Sequence, residues 1–110
     1  MVEKRAHIRV YPATGSKVTN VMTEKKIGRV VDISQNGLLL SSRESIKPGM
    51  ILQISVKLTE LAPKAIEMGA ECIWSDHQDS GLTFAGFQII DISETDKELL
   101  KTVTQQLAAD

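Results

Sequence analysis

Ile51-Leu52-Gln53-Ile54-Ser55-Val56-Lys57-Leu58 is the stretch that decides the fold class. Leu52, Ile54, Val56 and Leu58 share one parity, and Gln53, Ser55 and Lys57 take the other. Successive side chains of a strand point to opposite faces, so this pattern predicts a strand with one face buried. Working outward, Ile66, Met68, Ala70, Cys72 and Trp74 form a second apolar stripe, backed by Glu67 and Glu71. Further on, Leu82 and Phe84 share one parity whereas Phe87 and Ile89 share the other. The switch falls at Ala85-Gly86 and predicts a β-bulge that keeps both pairs inside. Toward the N-terminus, strands are expected over 8–11, 17–22, 27–34 and 38–41. Turn-forming clusters separate these segments, among them Asn36-Gly37, Lys47-Pro48-Gly49 and the run from Ser75 to Gly81. About six or seven short strands at regular spacing give a mainly β chain, best closed into an antiparallel barrel that leaves no exposed edge.

The end of the chain changes period. Ser93-Glu94-Thr95-Asp96 has the form of a helix-capping box, with acidic residues where the helix dipole is positive. Leu99, Leu100, Val103 and Leu107 then recur at helical spacing, which predicts a C-terminal helix over 93–108 packed on the barrel.

Composition narrows the function classes. At 110 residues, 42% hydrophobic and 25% charged, the chain is sized for one globular domain with a single core. It has no run long enough to span a membrane and no signal-peptide core, so no membrane insertion and a cytoplasmic location are expected. The single cysteine, Cys72, excludes an internal disulfide and fits a reducing compartment. The net charge of −1 is unevenly spread. Residues 1–30 hold seven of the 13 basic and two of the 14 acidic residues, a local excess of +5. A small basic region on an otherwise acidic domain suits a compact anion. It does not suit DNA or RNA, which demand a wide basic footprint. Aromatics at 4% also argue against single-stranded nucleic acid, whose bases need stacking platforms. His7, His77 and Cys72 lack metal-ligand spacing, and no nucleophile has a visible base and orienter. No metal site, no catalytic residue and no enzyme are expected.

Two short motifs remain. Arg5-Ala6-His7-Ile8-Arg9 carries two guanidinium forks, each able to pair bidentately with guanine or phosphate or to stack on a purine. Asp32-Ile33-Ser34-Gln35-Asn36-Gly37 closes a predicted strand. Strict alternation there puts Val30, Asp32 and Ser34 on the outer face and Val31 and Ile33 in the core. Asp32 could then accept from the Watson–Crick donors of a guanine, with the Ser34 hydroxyl beside it. Gly37 would either adopt a positive φ or let a ligand approach the backbone. Taken singly, the first motif is also a solvated basic tail and the second a polar strand end with a capped turn.

Their joint occurrence, RxxxR before the first strand and DxSxxG at the end of a later one, resembles the PilZ domain family of bacterial cyclic di-GMP receptors. The resemblance runs from Arg5 to about Leu107. It implies a PilZ-type antiparallel β-barrel with a C-terminal α-helix and cyclic di-GMP as ligand. It also implies ligand-binding roles for Arg5, Arg9, Asp32, Ser34 and Gly37. Lys4 stands where many members carry a further arginine, and Trp74 resembles a family position near the site; both are possible ligand contacts. The expected organisation is a mobile binding arm over 1–9, a barrel over 10–91 and the helix. Ligand would order the arm across the barrel and so create a surface that an unidentified downstream protein reads. The alternative is a PilZ-like protein–protein interaction module that works without nucleotide.

Overall fold

The computed structural model describes residues 9–12, 16–58 and 64–109. Among the described residues six antiparallel strands are followed by one helix: β1 (Lys17–Asn20), β2 (Lys25–Ile33), β3 (Gly37–Ser42), β4 (Ile51–Lys57), β5 (Ile66–His77), β6 (Thr83–Ile92) and α1 (Glu94–Ala109). They close into a barrel in the order β1-β2-β3-β6-β5-β4, with β4 returning to β1. Every strand is paired on both sides, so the edge amides of an open sheet are absent from these elements. No helix among the described residues is long and apolar enough to cross a membrane. Of the expected first strand over 8–11, Ile8 lies outside the described residues, and the described part is reduced to a single bridge between Val10 and Ile33.

The core follows the alternation where the strands are regular. Ile54 and Val56 are fully buried and pair with Met68 and Ile66 of β5, Leu52 pairs with Ala70, and Leu58 is fully buried just beyond β4. Leu100 and Val103 of α1 join this core, and Leu99 and Leu107 pack at its margin. Ser93 caps the helix: its Oγ accepts from the Asp96 amide at 3.1 Å and its carbonyl from Lys97 at 2.8 Å. Asp96 does not complete the box. Its carboxylate instead accepts from Lys64 Nζ at 2.6 Å and from the Glu67 amide at 3.1 Å, tying the first helical turn to β5. The Lys64 hydrogen bond, aided by the Glu67 amide, holds the Asp96 carboxyl below its ordinary range against the opposing effect of burial.

Among the described residues four bulges break the alternation, and those at Val31, Ile73 and Ile90 revise an expectation. On β2, Val30 pairs with Leu40 and Asp32 with Leu39, leaving Val31 as the extra residue. Val30 therefore enters the core together with Ile33, rather than sharing the outer face with Asp32. A second β2 bulge sits at Ile27, since Val18 pairs with Gly28 and Thr19 with Lys26. On β5 the extra residue is Ile73, because Cys72 pairs with Phe87 and Trp74 with Gly86. The expected Cys72–Trp74 stripe is broken there: Cys72 is buried and Trp74 is 46% exposed. The bulge expected at Ala85-Gly86 lies instead at Ile90. Thr83, Ala85, Gly86 and Phe87 are the buried residues of β6, while Leu82 and Phe84 are only half-buried.

Candidate functional site

The bulge at Val31 restarts the alternation so that Asp32 turns outward beside Leu39 and Ile33 returns to the core against Leu38. Val10 then fixes what lies opposite. Its amide donates to the Ile33 carbonyl and its carbonyl accepts from the Ile33 amide, both at 2.9 Å, and its side chain is buried. The preceding residue, Arg9, is thereby held over Asp32, and its Nη1 donates to Asp32 Oδ1 at 2.7 Å. The aspartate side chain is 12% exposed and the arginine 42%. Such a charge-assisted contact is geometrically firm, yet at this exposure it contributes at most about 1 kcal/mol to stability.

Arg9 and Asp32 form one wall of an open cleft of about 350 Å³. Asn36 and Gly37 lie at one end, and Ile73, Trp74, Gly86 and Gln88 border the β5–β6 side. Trp74 lies across Gly86 so closely that a Cβ on the glycine would stand 2.2 Å from the indole Nε1. The cleft thus offers a cation, a carboxylate, an amide-bearing side chain and a broad aromatic face. That set suits a planar heterocycle with hydrogen-bonding edges and an anionic group.

Ser34 and Gly37 take structural positions that strict alternation did not foresee. Ser34 is buried and does not line the cleft. Its Oγ donates to Asn36 Oδ1 at 2.6 Å and accepts from the Asn36 amide at 3.3 Å, while its own amide donates to the Gly37 carbonyl at 2.8 Å. The serine shapes the turn that presents Asn36. Gly37 has no positive φ. It is needed because a Cβ there would meet the Phe87 carbonyl oxygen at 2.5 Å, so the close neighbour is β6. Arg5 and Lys4 lie outside the described residues, as does His7.

Asn36, Leu39, Ile73, Gly86 and Gln88 also line the cleft and were not singled out from sequence. A glycine inside an apolar strand does signal close approach of another group, and Gly86 carried that signal. Asn36 sits in the turn before β3, and Leu39, Ile73 and Gln88 are ordinary strand residues whose place at the cleft follows from register between strands, with no local sequence mark. Burial pushes the Cys72 thiol upward, and its Sγ donates to the Trp74 carbonyl at 3.2 Å, so it packs as an inert apolar group. Among the described residues no cluster of three or more His, Cys, Asp or Glu could hold a metal ion.

A family model described as PilZ domain matches residues 3–106. No curated protein matches the chain in sequence. Among solved structures, the PilZ domain with c-di-GMP of YcgR from Escherichia coli aligns at TM-score 0.71 and 18% identity, covering 97% of this chain and 93% of that one. The inhibitor of motility MotI/DgrA of Bacillus subtilis aligns at TM-score 0.76 and 18% identity, over 98% of this chain and 51% of its own. The MrkH–c-di-GMP complex of K. pneumonia aligns at TM-score 0.75 and 14% identity, over 98% and 54%. The chain therefore spans about half the length of the longer proteins it is similar to.

Proposed function

The chain belongs to the PilZ domain family, and from that premise we propose that it is a receptor for cyclic di-GMP in bacterial second-messenger signalling. Solved complexes of similar fold hold that nucleotide, which supports the choice of ligand. The observation that carries the reading is the meeting of Arg9 and Asp32 on one cleft wall with Trp74 opposite. In this reading Asp32 accepts from a guanine edge, and Arg9 leaves the carboxylate to pair with guanine or phosphate. Trp74 offers an apolar surface to a base. Ser34 and Gly37 act through the turn and through strand packing. Arg5, with Lys4 as a weaker cation, adds donors from the arm over 1–9. Binding then orders that arm across the barrel over 10–91 and creates a surface read by a downstream protein, at an entropic cost to affinity. The reading is of a binding module of the bacterial cytoplasm rather than a catalyst.

Titration calorimetry with cyclic di-GMP, and with GTP as control, tests it. Specific uptake of cyclic di-GMP is expected. Arg9→Ala and Asp32→Ala should each weaken it about ten- to a hundredfold, the range for losing a hydrogen bond to a charged group, with little change in melting temperature. Absence of binding would favour a PilZ-like interaction module that works without nucleotide. That second reading draws on the Arg9–Asp32 pair, which satisfies both charges with no ligand at all.

A further inference from the structure

A second groove, of about 310 Å³, opens on the outer face between β2, the end of β3 and the start of β6. It is basic on a chain whose net charge is −1. Lys26, Arg29 and Arg43 line it and all three are exposed. The bulge at Ile27 is what aligns the first two. It lets Lys26, in register with Thr19, and Arg29, in register with Ser41, both face outward although they are three residues apart. Neither forms an ion pair with another described residue. Arg43 is steadied by donating from Nη1 to the Ser80 carbonyl at 3.3 Å, a contact that occupies one of its five donors. Among the described residues Glu44 is the one acidic residue on the lining, which leaves their sum at +2. Between the cations the lining carries two aliphatic side chains, Ile27 and Leu82, both half-buried, beside Gly28, Ser41 and Ser42, and Ile27 packs on the core.

We propose that this groove docks an acidic segment of a partner protein, with carboxylates against Lys26, Arg29 and Arg43 and an aliphatic side chain over Ile27 and Leu82. Charge complementarity selects the partner, since the lining carries three cations against one carboxylate on a chain whose net charge is −1. A bare phosphate would leave the apolar strip uncovered. A strand-adding peptide has no edge to pair with, because the barrel is closed, so side chains must hold the segment. The surface is separate from the Arg9–Asp32 cleft and does not depend on nucleotide binding.

Fluorescence anisotropy with a labelled hexapeptide alternating leucine and glutamate tests the assignment on the full chain. Binding should weaken as salt rises. Replacing glutamate by glutamine, or leucine by serine, should weaken it too. Arg29→Gln and Arg43→Gln should each cost about threefold, as for exposed ion pairs, and the triple variant Lys26→Gln/Arg29→Gln/Arg43→Gln more than tenfold. Amide shift changes on adding peptide should centre on residues 26–29, 41–44 and 82. Thermal melts of the variants establish that they fold, and the single Arg29→Gln change serves if the triple variant does not. No binding up to about 1 mM peptide, or binding indifferent to Arg29→Gln, overturns the proposal. So does tighter capture by phosphatidylserine vesicles or inorganic phosphate that is lost with the same substitutions.

Discussion

Gly86 stays without a side chain because Trp74 occupies the space where its Cβ would be. The nearest atoms are the indole Nε1, Cε2 and Cδ1, at 2.2, 2.7 and 2.8 Å, and all belong to one side chain that can swing. Gly86→Ala should therefore be tolerated by the barrel while displacing Trp74 from the cleft. Trp74 is the only tryptophan, so its emission reads the change directly. A shifted emission maximum is expected, with a cyclic di-GMP affinity about three- to tenfold weaker if the indole face contributes the usual 0.5–1.5 kcal/mol of an aromatic contact. Unchanged emission in the alanine variant would show that the indole does not rest on Gly86. Gly37 is the contrasting case: the atom facing its missing Cβ is the Phe87 carbonyl, part of a strand that cannot swing aside. Gly37→Ala should destabilise the chain by about 1–3 kcal/mol, as overpacking does, seen as a lower urea midpoint.

Helix α1 shows how one element is tied to the rest through a few polar contacts. Ser93 caps it, and replacing that serine by alanine should cost about 1 kcal/mol. Asp96 links the first turn to Lys64 and to the Glu67 amide of β5, and these contacts lower its pKa in the folded state. A carboxyl with a depressed folded pKa adds stability that is fully present above its unfolded value, near 4. That contribution is lost as the pH falls through the folded value. The urea midpoint should thus drop as pH is lowered below about 4, and in Asp96→Asn this drop should be shallower. The strand elements teach a different lesson. Regular stretches such as β4 were legible from parity alone, because nothing interrupts the period of two. In β2 and β5 a single extra residue resets the parity, and Val30 and Trp74 consequently face opposite to a simple reading, whereas β6 runs without a break from Thr83 to Gln88 and so turns Leu82 and Phe84 away from the core. A bulge depends on which neighbour's hydrogen bonds are skipped, and no local sequence records that choice.

At the scale of the whole molecule, the closed barrel is a rigid frame and the Arg9–Asp32 contact bridges its surface to the chain ahead of Val10. A ligand that binds only the folded chain stabilises it by mass action. Cyclic di-GMP at a hundred times its dissociation constant should add about 2.7 kcal/mol, raising the melting temperature by roughly 10 °C or more. GTP should leave it unchanged, and a common shift for both nucleotides would argue against a specific receptor. By itself the sequence determined a mainly β chain, its closure by a capped helix, and the two motifs that resemble the family, because alternation, helical period and residue chemistry are local properties. The tertiary structure alone decided which of those motif residues face the cleft. Asp32 faces it beside Arg9, Gly37 lies at its end packed against β6, and Ser34 turns inward to hold Asn36. It also set Trp74 over Gly86 and aligned Lys26 with Arg29. Each of these depends on register between strands distant in sequence, where one skipped residue decides the face.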